Sequence, residues 1–88
     1  MEERRRAERK TIDAPVRLSL DEPARLELDG RLLDISESGF RATHHCTTLE
    51  AGQEARFAHP GGSGRARVVW NRILPDRVET GFWILDPR

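Results

Sequence analysis

Long apolar runs, paired cysteines, tyrosine and all but one lysine are missing from this 88-residue sequence, and each gap closes off a class of protein. No stretch approaches the ~20 apolar residues that span a bilayer. The opening MEERRRAERK lacks the apolar centre of a signal peptide, so a soluble, cytoplasmic chain without membrane insertion is expected. The lone Cys46 cannot form an intramolecular bridge, whereas a secreted domain this small would need several. Hydrophobic residues make up 36% and charged residues 34%, which leaves material for one thin core and excludes a two-domain enzyme with an internal cleft.

Charge is balanced overall, 15 cations against 15 anions, yet unevenly placed. Residues 4 to 10, RRRAERK, hold five cations and one acid, so this segment is +4 and the remainder is −4. Lys10 is the single lysine; the other 14 cations are arginines. Arginine presents a planar fork of donors that grips phosphates and guanine edges and stacks on flat rings, which points to an anionic partner met near the N-terminus.

Residues 1 to 14 carry no apolar stripe and are expected to form a flexible, Arg-rich ligand-binding arm closed by Pro15, with residues 15 to 88 as the folded domain. From Val16 the period is two. Val16, Leu18 and Leu20 alternate with polar residues, as do Ala24, Leu26 and Leu28, and Asp29-Gly30 is a hairpin signal. Leu33 and Ile35 then share one face, with Asp34 and Ser36 on the other, and Phe40 to His45 alternates again. Glu54 to Ala58 reads as a short strand, 59–64 (HPGGSG) as a loop, and Ala66, Val68 and Trp70 as one face of a further strand. Val78 to Leu85 reads as the last strand, with Gly81 a bulge or a point of close approach. The pattern predicts an all-β fold, a small antiparallel barrel of six to seven strands, because closure removes exposed edges. Phe40, Phe57, Trp70 and Phe82 are expected in its core and Trp83 partly outside it.

Two segments carry chemistry. In Asp34-Ile35-Ser36-Glu37-Ser38-Gly39, the strand period sets Asp34 and Ser36 on one outward face. A carboxylate there accepts two hydrogen bonds from the N1–H and N2–H edge of guanine, a hydroxyl donates to a phosphate or purine acceptor, and Gly39 lets the backbone turn. On the arm, Arg5 and Arg9 form an R-x-x-x-R pair able to clamp a phosphate and a guanine O6/N7 edge together. With this many arginines such a pair arises about twice by chance, so the weight rests on its combination with the aspartate motif.

In this order and at this distance, Arg5-x-x-x-Arg9 and Asp34-x-Ser36-x-x-Gly39 resemble the two ligand motifs of the PilZ domain, a bacterial receptor module for cyclic di-GMP. The late segments Ala66-Arg67-Val68-Val69-Trp70 and Glu79-Thr80-Gly81-Phe82 resemble its last two barrel strands. The resemblance implies that Arg5 and Arg9 hold phosphates and guanines, and that Asp34, Ser36 and Gly39 form the surface on which a guanine rests. It further implies that Arg4, just before the first motif arginine, accompanies two stacked ligands rather than one. Function would be regulation, of motility, adhesion or exopolysaccharide output, through a downstream protein partner.

Other readings compete with this one. A ligand-free PilZ-like adaptor working through protein contacts would have no need of both motifs. A barrel for single-stranded nucleic acid would need several exposed aromatics on a basic face, whereas this chain has no tyrosine and its barrel portion is acidic. His44 and Cys46 could share a face, but two ligands alone make a poor zinc site, so no metal is expected. No nucleophile, base and orienter assemble from the motifs, and an enzyme is not expected.

Overall fold

The structure, a computed structural model, describes residues 10 to 85. Six strands follow one another: β1 (Lys10–Leu20), β2 (Leu26–Ile35), β3 (Gly39–His44), β4 (Glu54–His59), β5 (Gly62–Ile73) and β6 (Val78–Ile84). They close into an antiparallel barrel in the order β1-β2-β3-β6-β5-β4, two three-stranded meanders joined along β3–β6 and β1–β4. The all-β barrel expected from the sequence is therefore the observed architecture. No helix among the described residues is long and apolar enough to cross a membrane.

The period of two places the core. Val16, Leu18 and Leu20 of β1, Leu32 of β2, Phe40 and Ala42 of β3, Ala55 and Phe57 of β4, Ala66 and Val68 of β5 and Phe82 of β6 all point inward and are buried. Phe40 sits at the centre, stacked on Phe82 at 4.8 Å and edge-on to Phe57 at 5.0 Å between centroids. Each such pair adds about 0.5–1.5 kcal/mol beyond the area it buries. The β3–β4 connection supplies Leu49 to the same core.

Four expectations need correction. Asp29-Gly30 is not a turn: both lie inside β2, opposite Arg17 and Val16, because the turn after β1 falls at 21–25 and β2 needs its full length to pair with β1. The arm ends earlier than Pro15, since residues 10 to 14 already belong to β1. Pro15 lies inside that strand opposite Arg31 of β2, at a point where β4, paired with β1 only at Arg17, Leu18 and Ser19, does not flank it. The loop read at 59–64 is a tight turn at Pro60-Gly61, with Ser63 and Gly64 already paired to Ala58 and Phe57.

The fourth correction concerns side-chain direction. Between Leu32 and Asp34 β2 advances two residues while β3 advances one, so Leu33 is an extra, bulged residue. Leu32, not Leu33, therefore occupies the core, while Ile35 still packs against it. A second extra residue, Val69, lies between Val68 and Trp70 opposite β6. It turns Trp70 out of the core onto the barrel's outer face, where the residue is 38% exposed.

One polar chain crosses the interior. The Cys46 N–H donates to His44 Nδ1 at 3.0 Å, which fixes the imidazole proton on Nε2; that N–H donates to Thr80 Oγ1 at 2.7 Å. Thr80 donates in turn to Asn71 Oδ1, and the Asn71 amide to the Leu49 carbonyl, both at 2.7 Å. Every donor finds an acceptor only while His44 is neutral. Burial, with the neighbouring His45 adding to it, pushes His44 below its ordinary 6.5. The unfolded chain thus takes up a proton as pH falls through 6.5 while the folded one does not, and stability present above that pH is lost below it. The urea midpoint is expected to drop between pH 7 and pH 5, and to drop less in His44→Gln; equal slopes in the two proteins would remove His44 as the cause.

Candidate functional site

The β2–β3 hairpin carries the aspartate motif. Ser36 N–H donates to the Gly39 carbonyl at 2.8 Å, closing a tight turn over Glu37-Ser38. The Ser36 hydroxyl stays inside that turn, 3.4 Å from the Gly39 carbonyl and from Ser38 Oγ. Gly39 does not have a positive φ. It is required for another reason than the expected one: an added Cβ would collide with the Phe82 carbonyl of β6. Asp34, Ser36 and Gly39 are thus brought together at one hairpin, with Asp34 on the outward face as its pairing with outward Arg41 demands. Arg4, Arg5 and Arg9 lie outside the described residues.

Sequence reasoning missed Arg41. Its Nε donates to Asp34 Oδ2 at 2.8 Å and its Nη2 donates to the same oxygen. Asp34 is only 5% exposed, so the pair is charge-assisted and partly withdrawn from water. The hydrogen bond to Asp34 also raises the Arg41 pKa above its ordinary value, so the guanidinium keeps its charge. The signal was present in the sequence: with a two-residue turn at 37–38, Ile35 faces Phe40 and Asp34 faces Arg41.

From Arg41 the outer face continues over β6 and β5. Arg41 pairs with Gly81 and Gly39 with Trp83. On the far side, Gly81 pairs with Trp70 and Trp83 with Arg67. Gly81 is a point of close approach, as the sequence suggested, because the Trp70 indole occupies the place of its missing side chain. Trp83, outward like Gly81, is 57% exposed. Together Ser38, Gly39, Arg41, Trp70, Gly81 and Trp83 line a shallow cleft of about 280 Å³.

A larger cleft of about 490 Å³ lies away from the motif, between the end of β1, β4 and β5. Its charges are matched within its own walls, Arg56 to Asp21 at 2.8 Å and Arg65 to Glu54 at 3.4 Å. The face beside the motif is chemically the richer one, since it joins a cation, a carboxylate and two indoles. His44, considered above as a ligand, spends both ring nitrogens on hydrogen bonds. Among the described residues no three His, Cys, Asp or Glu side chains group as a metal site would require.

No family model matches the sequence. A stretch of 46 residues, 52% of the chain, is 41% identical to tumor necrosis factor receptor superfamily member 5 of Mus musculus, but it spans only 14% of that protein and shows no family. Solved structures speak to the fold. The inhibitor of motility MotI/DgrA of Bacillus subtilis is similar at a TM-score of 0.77 and 16% identity, over 97% of this chain and 44% of that one. The PilZ domain of YcgR from Escherichia coli, solved with c-di-GMP, is similar at a TM-score of 0.68 and 18% identity, over 98% and 81% of the two chains. The barrel is PilZ-like. At these identities the likeness is one of fold, and the PilZ-like barrel of this chain spans under half of MotI/DgrA.

The outer face of this PilZ-like barrel depends on its glycines. In Gly81→Val the branched side chain takes the place of the Trp70 indole, which must swing into water. Tryptophan emission is expected to shift to the red and stability to fall by about 1–3 kcal/mol; an unshifted spectrum would mean that Trp70 does not rest on Gly81.

Proposed function

We propose that this chain is a cyclic di-GMP receptor domain that works by binding, not catalysis. The observation that carries the reading is the Asp34-x-Ser36-x-x-Gly39 motif, held by a tight turn on the outer face of a PilZ-like barrel. The YcgR PilZ domain, similar in fold, was solved with that ligand. In this reading Asp34 accepts from the guanine N1–H and N2–H edge while the two hydrogen bonds from Arg41 hold the carboxylate in place.

Topology supports a part for the arm. β1 opens with Lys10 opposite Ile35 and Thr11 opposite Asp34, so Arg9 is joined by one peptide bond to a residue standing beside the motif. Arg5 is five residues from Lys10 and so is tethered within about 18 Å of it. Arg5 and Arg9 then close on the phosphates and guanines of the ligand, and Arg4 on a second ligand molecule. Binding favours the closed arrangement of the arm, and a downstream protein reads the changed surface.

Calorimetry with cyclic di-GMP, against GTP and cyclic di-AMP, tests the reading. Wild type is expected to give selective, saturable heat, at two ligands per chain if Arg4 acts as assigned. Arg5→Ala and Arg9→Ala should each abolish the heat and leave the fold intact, and Asp34→Ala should lower affinity and reduce the preference for guanine over adenine. A folded wild type that gives no heat would sink the receptor reading. It would favour a protein-contact adaptor, to which the exposed Val69, Trp70, Ile73 and Trp83 lend themselves.

A further inference from the structure

Trp83 is out of place by ordinary packing rules. Large aromatics are mostly buried, yet this indole projects from β6 into solvent beside a glycine. Outward parity explains the direction: Thr80 and Phe82 point into the core, Gly81 and Trp83 away from it. Its neighbours on the outer face are small in themselves, Gly39 across the β3–β6 ladder and Gly81 two residues back on its own strand, the latter covered by the Trp70 indole. Strand residues two apart are separated by about 6.6–6.8 Å. Because the Trp70 indole already lies over Gly81, the open space is the cleft beside the Trp83 indole that Ser38, Gly39, Arg41 and Trp70 also line.

Charged side chains flank this cleft. Arg67, across the ladder from Trp83, pairs with Glu54 at 3.0 Å. At the other end stands Arg41, which gives Asp34 two of its five N–H donors. A cleft of about 280 Å³ lies at the small end of the range of small-molecule sites.

We propose that Trp83 is a stacking wall for one base of cyclic di-GMP, extending the site from the hairpin motif across β6. The inference rests on the receptor reading above and adds a residue that lies outside both sequence motifs. Aromatic stacking tolerates any base but needs a ring, so Trp83 contributes affinity while selectivity stays with Asp34 and Arg41.

Calorimetric titration of cyclic di-GMP into wild type, Trp83→Phe, Trp83→Ala and the surface control Ile73→Ser tests it. Trp83→Ala is expected to bind about tenfold more weakly, with selectivity over cyclic di-AMP unchanged. Trp83→Phe should stay within about threefold of wild type because the ring is retained, and Ile73→Ser should match wild type. Saturation should quench wild-type tryptophan emission, and Trp83→Phe should lose most of that quenching. If wild type binds and Trp83→Ala binds equally well, the inference is overturned and the receptor reading stands; a folded wild type that does not bind overturns both.

Discussion

The inside-outside alternation of a closed barrel is the constraint on which the candidate site depends, because the site exists only where two bulges reset it. Along β2 the even-numbered residues face inward from Leu26 to Leu32, and an unbroken strand would carry Asp34 into the core against Phe40. A buried carboxylate without a partner costs several kcal/mol. The extra residue at Leu33 moves Asp34 opposite Arg41 on the outer face instead, and Ile35 opposite Phe40. The same device acts on β5. Val69 carries Trp70 outward onto Gly81 and sets Asn71 opposite Thr80, where it completes the buried hydrogen-bond chain. Each bulge thus does two things at once, placing an outer-face residue and restoring the apolar or satisfied interior behind it.

Much of this was legible in the residues. Period-two alternation gave β1, β3, β4 and the inward face of β6, and the motif positions 34, 36 and 39 fall together as their spacing implied. What failed was continuity. Asp29-Gly30 is a strong hairpin pair by local chemistry, but pairing of β2 with β1 through Gly30 overrode it. A false turn there restarted the alternation at Leu33, which happened to leave Asp34 outward. The direction of Asp34 was right although the residue assigned to the core beside it was wrong. No such accident rescued Trp70, because Ala66-x-Val68-x-Trp70 reads as an unbroken inward face, and a bulge leaves no mark in the pattern of a single strand.

The role of Gly39 was misread in an instructive way, whereas the close approach at Gly81 was anticipated. Gly39 looked like a turn residue, and Gly81 like either a bulge or a close approach. Neither has a left-handed backbone; both are places where something else needs the space of a side chain, the Phe82 carbonyl in one case and the Trp70 indole in the other. Such a requirement is invisible until neighbours across the sheet are known, since the strand that supplies the clash lies 43 residues away for Phe82 and 11 for Trp70 (82 − 39 and 81 − 70). Arg41 was missed for the opposite reason. Its partner lies across a two-residue turn and the register alone would have found it, but an arginine inside an alternating strand looks like ordinary solvated surface.

β6 shows how the barrel separates a packed inner face from an outer one. Val78, Thr80 and Phe82 close the interior, while Glu79, Gly81 and Trp83 face out, so neighbouring residues on one strand serve different ends. The ion pairs follow the same division: Arg72 and Arg77 share Glu79 at the lower end, whereas Arg41 and Asp34 pair beside the cleft. A rigid closed wall of this kind responds little to a ligand laid on its outside, since its ladders and its Phe40 cluster hold both faces in register. The pairing of Thr11 with Asp34 is what brings the start of β1 to the motif face of that wall.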